Sequence, residues 1–522
     1  MSITLTDIVA TKRFTACGND EFWYEDTSMP GTMVELTAAS GEIDTSDMLS
    51  MFEAYQKCFI VNGTKLKVAD FVNTKLACTA LTTAHAHGDI LTQATSGAKM
   101  VVDFINGSKT LVYGYVTSGT FDASHQVTGS GSGTAFTPSA VTAKPHWYDW
   151  EVYPGISGHL PNKSYLGCRY RGRAVLSGNP EYPQQWYMSR QANPWDWEWA
   201  TIASSDAQRP MQGGLGEAGQ AGDIIRALIP CGDDYLIFGC AGTMSVMTGD
   251  PAAGGSINIV DGTTGIFGAT SWCFVAKDKV AFWGFNGLYI GDVVNGFKCV
   301  SEIQLPNLVE DEAANPETYR ITMGFDVKRQ GILICITELA DGTNSNYFYS
   351  LLTKAFFPEE YPEECGVYSM VSYQANDPAY AGLLVGCTDG YIRKFDDTVK
   401  NDDIGPSDEA IDSYVSFGPI QLSKETDDAS LANFGIITGG GQTGGHTDSN
   451  NISYKVFAAN TAEEVMEKLD ADTAPNLAGT TNNASKRIFN DPRQVRGVYA
   501  AIKLGNNTVN QTWSFEKLVI GE

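Results

Sequence analysis

A short apolar run, a glycine turn and a second short run recur six times in this chain, and a repeat of that kind admits few folds. The turns lie at Asn62-Gly63, Gly178-Asn179, Ala241-Gly242, Asn286-Gly287, Asp341-Gly342 and Asp389-Gly390. Glycine takes the positive-φ backbone of a tight turn without strain, and Asn-Gly between two strand-like runs is the strongest short hairpin signal. The flanks agree: KCFIV and KLKVADF around Gly63, KVAFWGF and LYIGD around Gly287, GLLVGC and YIRKFD around Gly390. Successive turn glycines are 115, 64, 45, 55 and 48 residues apart. Three of these intervals fit the roughly 40 to 50 residues of one propeller blade. A four-stranded blade cannot bury its faces alone, so blades repeat and pack on one another. The pattern predicts a mainly β chain built on a β-propeller of six or seven blades. A β-sandwich, whose short strands also recur between turns, is the alternative.

The long first interval holds one blade and an insertion. Runs MVVDF and LVYGYV, punctuated by Gly-Ala, Asn-Gly and Ser-Gly, read as a small β-module inserted over 81–146. The run TGSGSGTAFTPS from Thr128 reads as a flexible loop leading out of it. The expected organisation is a polar, irregular N-terminal arm or docking segment over 1–50 with one strand at 33–36, and a first blade over 51–80. The inserted module follows, then the remaining blades over 147–412 and a C-terminal β-sandwich-like domain or propeller closure over 413–522. One helix is legible after Thr461, which would cap the amide of Glu464 while Glu464 reaches back.

Composition narrows the function. The 522 residues carry 35 basic and 61 acidic side chains, a formal charge of −26. That balance excludes general attraction to nucleic-acid phosphates, though an acidic wall would let DNA pass without gripping it. Eleven cysteines are scattered without a CxxC pair, as expected of small apolar packers in a reducing compartment. The N-terminus lacks the apolar core of a signal peptide, and no apolar run reaches the roughly twenty residues that span a bilayer.

Several motifs invite chemistry. Residues 214–219 spell GxGxxG, but neither a preceding strand nor a following helix is predicted, so they read as a loop. His85, His87 and Asp89 would share one face of a strand and could converge on a metal, without a recognisable fourth ligand. The acids Asp396, Asp397, Asp402, Asp403 and Asp408 lack calcium-loop spacing. Arg169, Arg171, Arg173 and Arg190 with Tyr170, Tyr182 and Tyr187 offer parts of a catalytic cluster, or equally an interface strand. Six of the ten tryptophans fall between Trp147 and Trp199, and Trp195, Trp197 and Trp199 alternate on one face, as core or as subunit contact. No catalytic, cofactor-binding or metal-binding residue is assigned, no cofactor is expected, and the chain reads as a non-enzyme.

The run YRGRAVLSGNPEYPQQWYMSRQANPWDWE resembles a passage of the tail nozzle proteins of short-tailed bacteriophages, also called tail tubular protein B or stabilisation proteins. Arg171, Arg173, Leu176, Gly178, Pro183, Trp186, Ser189, Arg190, Pro194 and Asp196 fill that pattern. GDILTQATSGAKMVVDF is similar to the small β-module inserted in such proteins, and the C-terminal VRGVYAAIKLGNNTVNQTWSFEKLVIG to their closing strands. The resemblance implies a virion structural protein of the tail, made in the host cytoplasm, whose homohexameric ring continues the DNA-ejection channel. Its implied partners are further copies of itself, the portal-proximal adaptor ring, tail fibres or other tail proteins, and genomic DNA passing without sequence-specific binding, with no membrane insertion. The alternative is a glycan-binding or glycan-cleaving propeller that acts as a receptor-binding tail protein.

Overall fold

The computed structural model describes every residue except 1, 7–11, 38–40, 200–204, 215–217, 397, 406–407, 424–428, 432, 440–448, 482–487 and 522. The chain is mainly β, and its described strands pair antiparallel throughout. It divides into two compact units, one of residues 1–359 and 363–395, the other of residues 360–362 and 396–522.

The first unit is a succession of small meanders. Its first sheet runs Ser2–Thr6, Lys12–Gly18, Glu21–Glu25 and Met33–Glu35, and its second Ser50–Ala54, Lys57–Asn62, Lys65–Asp70 and His146–Asp149. The third sheet (Leu166–Tyr170 to Met211–Gln212), fourth (Ile225–Cys231 to Ser256–Asp261), fifth (Trp272–Ala276 to Gly296–Cys299) and sixth (Tyr319–Asp326 to Phe356–Glu359) each hold four strands in chain order. The seventh holds three, from Val367–Tyr373 to Ile392–Lys394. Between the third and fourth strands of the second sheet the chain builds a separate six-stranded sheet, with Lys99–Ile105 and Leu111–Ser118 at its centre.

Apolar side chains join each sheet to the next. Phe22 of the first sheet packs with Met51 and Ile60 of the second, and Phe52 and Phe59 of the second with Ala174 and Leu176 of the third. Val175 and Trp186 meet Leu236 and Phe238, Ala227 and Ile237 meet Val280 and Phe282, and Ala281 and Trp283 meet Ile332 and Ile334. Thr322 and Thr337 of the sixth sheet bond carbonyls of Tyr368 and Val367 in the seventh. Tyr373 of the seventh packs on Phe14 and Ala16 of the first. Correspondingly, Ser2–Thr6 neighbours both Ser50–Ala54 and Val367–Tyr373.

In the second unit, the sheet of Ser413–Gln421, Tyr499–Asn506, Ser453–Ala459 and Leu477–Thr480 shares a core with the sheet of Ile488–Asp491, Asn433–Thr438 and Phe515–Gly521. Phe434, Ile436, Tyr454, Val456, Ile502 and Leu504 fill it. The helix Ala462–Asp470 lays Val465 and Leu469 against Phe457 and Ala501. Thr461 caps it by accepting from the Glu464 amide at 3.2 Å, while the Glu464 carboxylate pairs with Lys468.

Two sequence expectations change. The first fifty residues are not irregular: Phe14 and Ala16 pack on one face of a sheet and Phe22 on the other, and apolar residues divided between two faces show no single alternation. The Gly/Ser run after Thr128 is no loose linker. It packs so closely on His85 and Asp89 that a Cβ on Gly133 would stand 2.1 Å from the His85 ring, and one on Gly131 2.7 Å from the Asp89 carboxylate.

Candidate functional site

The residues that stood out in the sequence are, for the most part, joints of the first unit. Arg171 and Gly172, both at positive φ, form the two-residue turn between Leu166–Tyr170 and Arg173–Ser177. Arg173 is wholly buried. Its Nε donates to Asp250 at 2.9 Å, its Nη1 to the carbonyls of Ser189 and Arg209, and its Nη2 to that of Ala207, so one guanidinium ties the third sheet to the fourth. Arg190 bridges Asp196 at 2.7 Å and Asp206 at 3.0 Å. Arg169 and Tyr182 are exposed, and Tyr187 packs against Trp199 in a tilted pair with ring centres 5.3 Å apart. These arginines and tyrosines form no common centre.

Trp195 and Trp197 are fully buried where the second sheet, the third sheet and the inserted sheet meet. Trp195 stacks on Phe104 at 4.4 Å, and the carbonyl of Pro194 accepts from the indoles of both Trp150 and Trp197. Beside them lies a buried polar cluster that sequence reading missed. Lys57 meets Asp103 at 2.8 Å, Asn73 donates to Asp103 and Asp70, Trp195 Nε1 donates to Asp103 and Tyr148 to Asp70. Asp103 occupies a register shift in Lys99–Ile105, the kind of bulge that re-aims a side chain. Burial alone would raise the Asp103 carboxyl, yet the Lys57 ammonium and the donors around it hold it below the ordinary range. Burial likewise acts to lower the Lys57 ammonium, and Asp103 and Asp70 hold it above its usual value.

His85, His87 and Asp89 precede the strand Ile90–Gln93 rather than alternating along one. They part company: His85 Nε2 lies 3.1 Å from the Thr134 carbonyl, His87 Nδ1 lies 2.8 Å from that of Asp103, and Asp89 accepts from the Ala86 amide at 2.8 Å. Burial lowers the His85 imidazole pKa. Among the described residues, no group of three His, Cys, Asp or Glu side chains is placed to hold a metal. The centre of the GxGxxG run, Leu215, Gly216 and Glu217, and the acid Asp397 lie outside the described residues. Of the remaining acids in that group, Asp402 and Asp403 lie on Asn401–Asp403, paired with Asp408–Ala410.

One cavity combines an apolar lining with opposed charges. It encloses about 110 Å³ between the fourth and fifth sheets, lined by Ile266, Trp283, Phe285 and Val309 with Arg226 and Glu312. Arg226 occupies the register shift between Ile225 and Ala227, so the bulge takes it out of the alternation of its strand. Its side chain is half-buried and has no hydrogen-bond or ion-pair partner among the described residues. Glu312 ends the short helix Leu308–Glu312. Its Oε1 accepts from Ser345 at 2.8 Å and from the Tyr347 hydroxyl, while its Oε2 receives no hydrogen bond among the described residues. Burial and the Glu312 carboxylate push the Tyr347 phenol up to about 12, so Tyr347 stays a donor at neutral pH.

No family model matches this chain, and no curated protein matches it. Among solved structures, it is similar to the extracellular domain of a putative one-component system from Bacteroides thetaiotaomicron, at 10% identity over 75% of this chain and 42% of that one, TM-score 0.34. A putative 6-phosphogluconolactonase from Bacteroides uniformis is similar at 10% identity over 72% of this chain and 88% of that one, TM-score 0.34. A protein of unknown function from Bacteroides thetaiotaomicron is similar at 8% identity over 67% and 87%, TM-score 0.26. The chain thus spans less than half of the first of these proteins. Likeness at these TM-scores assigns neither fold nor function. None of these comparisons leads to a tail nozzle protein, and no channel-forming ring is seen among the described residues. The expected kinship is therefore corrected, and with it the role of virion tail subunit in a DNA-ejection channel and its receptor-binding alternative. The physical reason is plain in the residues that carried the pattern. Arg173, Arg190, Ser189, Pro194, Trp186 and Asp196 are occupied by contacts within this chain, which account for their spacing without any family.

Proposed function

We propose that this protein is a non-catalytic binding scaffold that takes a small ligand in the cavity between Arg226 and Glu312. The observation that carries the reading is the contrast in how polar side chains are used. Arg173, Lys57 and Arg190 each spend their charge on partners inside the chain, whereas Arg226, displaced by its bulge, faces the cavity without one. A buried or half-buried guanidinium without a counter-charge is costly, and a cavity with a few convergent polar groups is where a ligand would supply it.

The architecture suits such a role. Under this reading the seven small sheets are blades of a β-propeller, the six-stranded sheet is a module inserted in its second blade, and the second unit is a β-sandwich-like domain. The ring reading is supported by the contacts of each sheet with the next, and by Ser2–Thr6 lying beside both Ser50–Ala54 and Val367–Tyr373. The cavity then lies between two blades.

The test is ligand-observed NMR with a fragment set of small anions, cations and zwitterions on apolar stems, against the wild-type protein and Ala314→Phe. Ala314 lines the cavity and the larger ring would fill it. Binding to the wild type that is lost in Ala314→Phe is the expected result. Fragments that bind both proteins alike, or neither, would overturn the reading.

A further inference from the structure

Independently of the Arg226 cavity, we propose that residues 128–135 of the inserted module form a strap that neutral His85 latches and protonated His85 releases. Val127 and Phe136 exchange backbone hydrogen bonds of 2.7 and 3.1 Å and close the run into a loop. Within it, the Ser130 amide donates to the Ile90 carbonyl at 2.9 Å, and the Ser130 hydroxyl accepts from the Ile90 amide at 3.0 Å. The Thr134 amide donates to the Thr83 carbonyl at 2.9 Å, and Thr134 Oγ1 accepts from the Thr83 amide at 2.9 Å. His85 lies under this loop, fully buried, with its ring 5.9 Å from that of Phe136.

The geometry fixes the tautomer. His85 Nε2 lies 3.1 Å from the Thr134 carbonyl, which accepts only, so Nε2 carries the hydrogen. Nδ1 is then a bare nitrogen, buried and without a hydrogen-bond partner among the described residues. Two glycines of the strap close over it: a Cβ on Gly129 would stand 2.3 Å from Nδ1, and one on Gly133 2.1 Å. Protonation would press a charged N–H donor against that backbone with nothing to accept it, a state that burial penalises heavily. Asp89 is the charged side chain that acts on His85 and it favours the imidazolium, but burial outweighs it and lowers the imidazole pKa. The other groups around the ring do not offset the charge. Residues 128–136 carry no ionisable side chain, Leu91 is apolar, and Tyr153, whose phenol burial pushes up, donates its hydroxyl to the His85 carbonyl at 2.5 Å. With the strap lifted, the imidazolium would reach water beside the Asp89 carboxylate, which gives the open form the differential interaction a switch requires. Leu91 and Phe136, buried in the latched form, would lose their cover.

Because the latched form holds its histidine at a lowered pKa, it binds fewer protons than the open form. Latching is therefore at full strength above the ordinary histidine value of about 6.5 and weakens as pH falls below it, by up to about tenfold per pH unit. The experiment is hydrogen exchange of the full chain at pH 7.5 and pH 5.5, with each rate divided by the intrinsic amide rate at that pH, for the wild type and His85→Gln. Glutamine keeps a donor for the Thr134 carbonyl and does not titrate. In the wild type the Ser130 and Thr134 amides are expected to lose protection by up to about tenfold at the lower pH, while Leu111–Ser118 at the centre of the same sheet keeps it. His85→Gln should show no such loss. Equal wild-type protection of Ser130 and Thr134 at both pH values would overturn the proposal, and this comparison needs no variant. The same loss in His85→Gln, or a loss that extends through Leu111–Ser118 and so reports unfolding of the whole module, would overturn it too. An NMR titration that places the His85 imidazole above about 6.5 would do the same.

Discussion

Removing the carboxylate of Asp103 tests whether the buried polar cluster fastens the inserted sheet to the second. Asp103 projects from a bulge in the inserted sheet and meets Lys57 at 2.8 Å, with side-chain exposures of 20% and 5%. It also accepts from Asn73 at 2.6 Å and from the Trp195 indole at 3.1 Å. In Asp103→Ala the Lys57 ammonium stays buried with its nearest counter-charge gone and two further donors stranded. Breaking one side of a buried pair in this way costs about 3 to 5 kcal/mol. Asp103→Asn keeps the shape and part of the hydrogen bonding and should cost less. The double change Lys57→Met with Asp103→Leu leaves no uncompensated charge and should cost less than the sum of the two single changes. A chain of two units need not unfold in one step, so the quantity to measure is local: native-state hydrogen exchange of amides in Lys99–Ile105 and Lys57–Asn62. The Asp103→Ala protein should lose protection there while Ser453–Ala459, in the other unit, keeps it. A single-mutant cost below about 1 kcal/mol, or a double mutant that simply adds, would refute the argument.

Trp195→Ala and Trp197→Ala should each lower the stability of the first unit by about 3 to 5 kcal/mol, read by thermal unfolding, because both indoles are fully buried among three sheets; an unchanged transition would sink that role. The Arg493 guanidinium, with a bond from the Tyr454 hydroxyl, holds the Asp491 carboxyl down at about 2. Its contribution is therefore present above the unfolded-state value near 3.9 and is lost as pH falls through about 2. Circular dichroism of the second unit between pH 5 and 2 should show that loss, and Asp491→Asn should flatten it. Deleting residues 1–36 would uncover Tyr373, which Phe14 and Ala16 bury. Faster hydrogen exchange in both Ser50–Ala54 and Val367–Tyr373 is expected if the first sheet closes a ring between them, and an effect on neither strand would argue against closure.

How much was legible depended on whether the controlling contacts are local. The turns at Gly63, Gly287, Gly342 and Gly390 were readable because positive φ at a glycine is a property of a few adjacent residues, and all four have it. The strands flanking them followed from short apolar runs. The tight turn in the 170–199 stretch is Arg171-Gly172, which the eye passes over because arginine is not a turn residue, while 178–180 begins a longer connection to Trp186–Met188. The partners of Arg173 come from residues 189 to 250, so its burial could not be read from its neighbours. Neither could the two bulges, because a register shift is a property of paired strands. Asp103 and Arg226, the residues those bulges re-aim, were accordingly invisible as a clamp and as a binding group.

The same reasoning explains why a spacing pattern that looks like a family signature fails to carry a function here. An arginine that bonds the carbonyl just past the neighbouring strand, a serine that bridges the Ala174 amide and the Arg190 carbonyl, and a proline carbonyl shared by two indoles will hold their spacing wherever this joint is built. Such residues are fixed by packing and hydrogen bonding within the chain, and they have no valence left for a ligand. A binding group must keep some of its capacity unspent in the folded state, at an energetic cost that the rest of the fold offsets. Arg226 has no hydrogen-bond or ion-pair partner among the described residues, and it lies where a bulge, an apolar wall and a held carboxylate coincide.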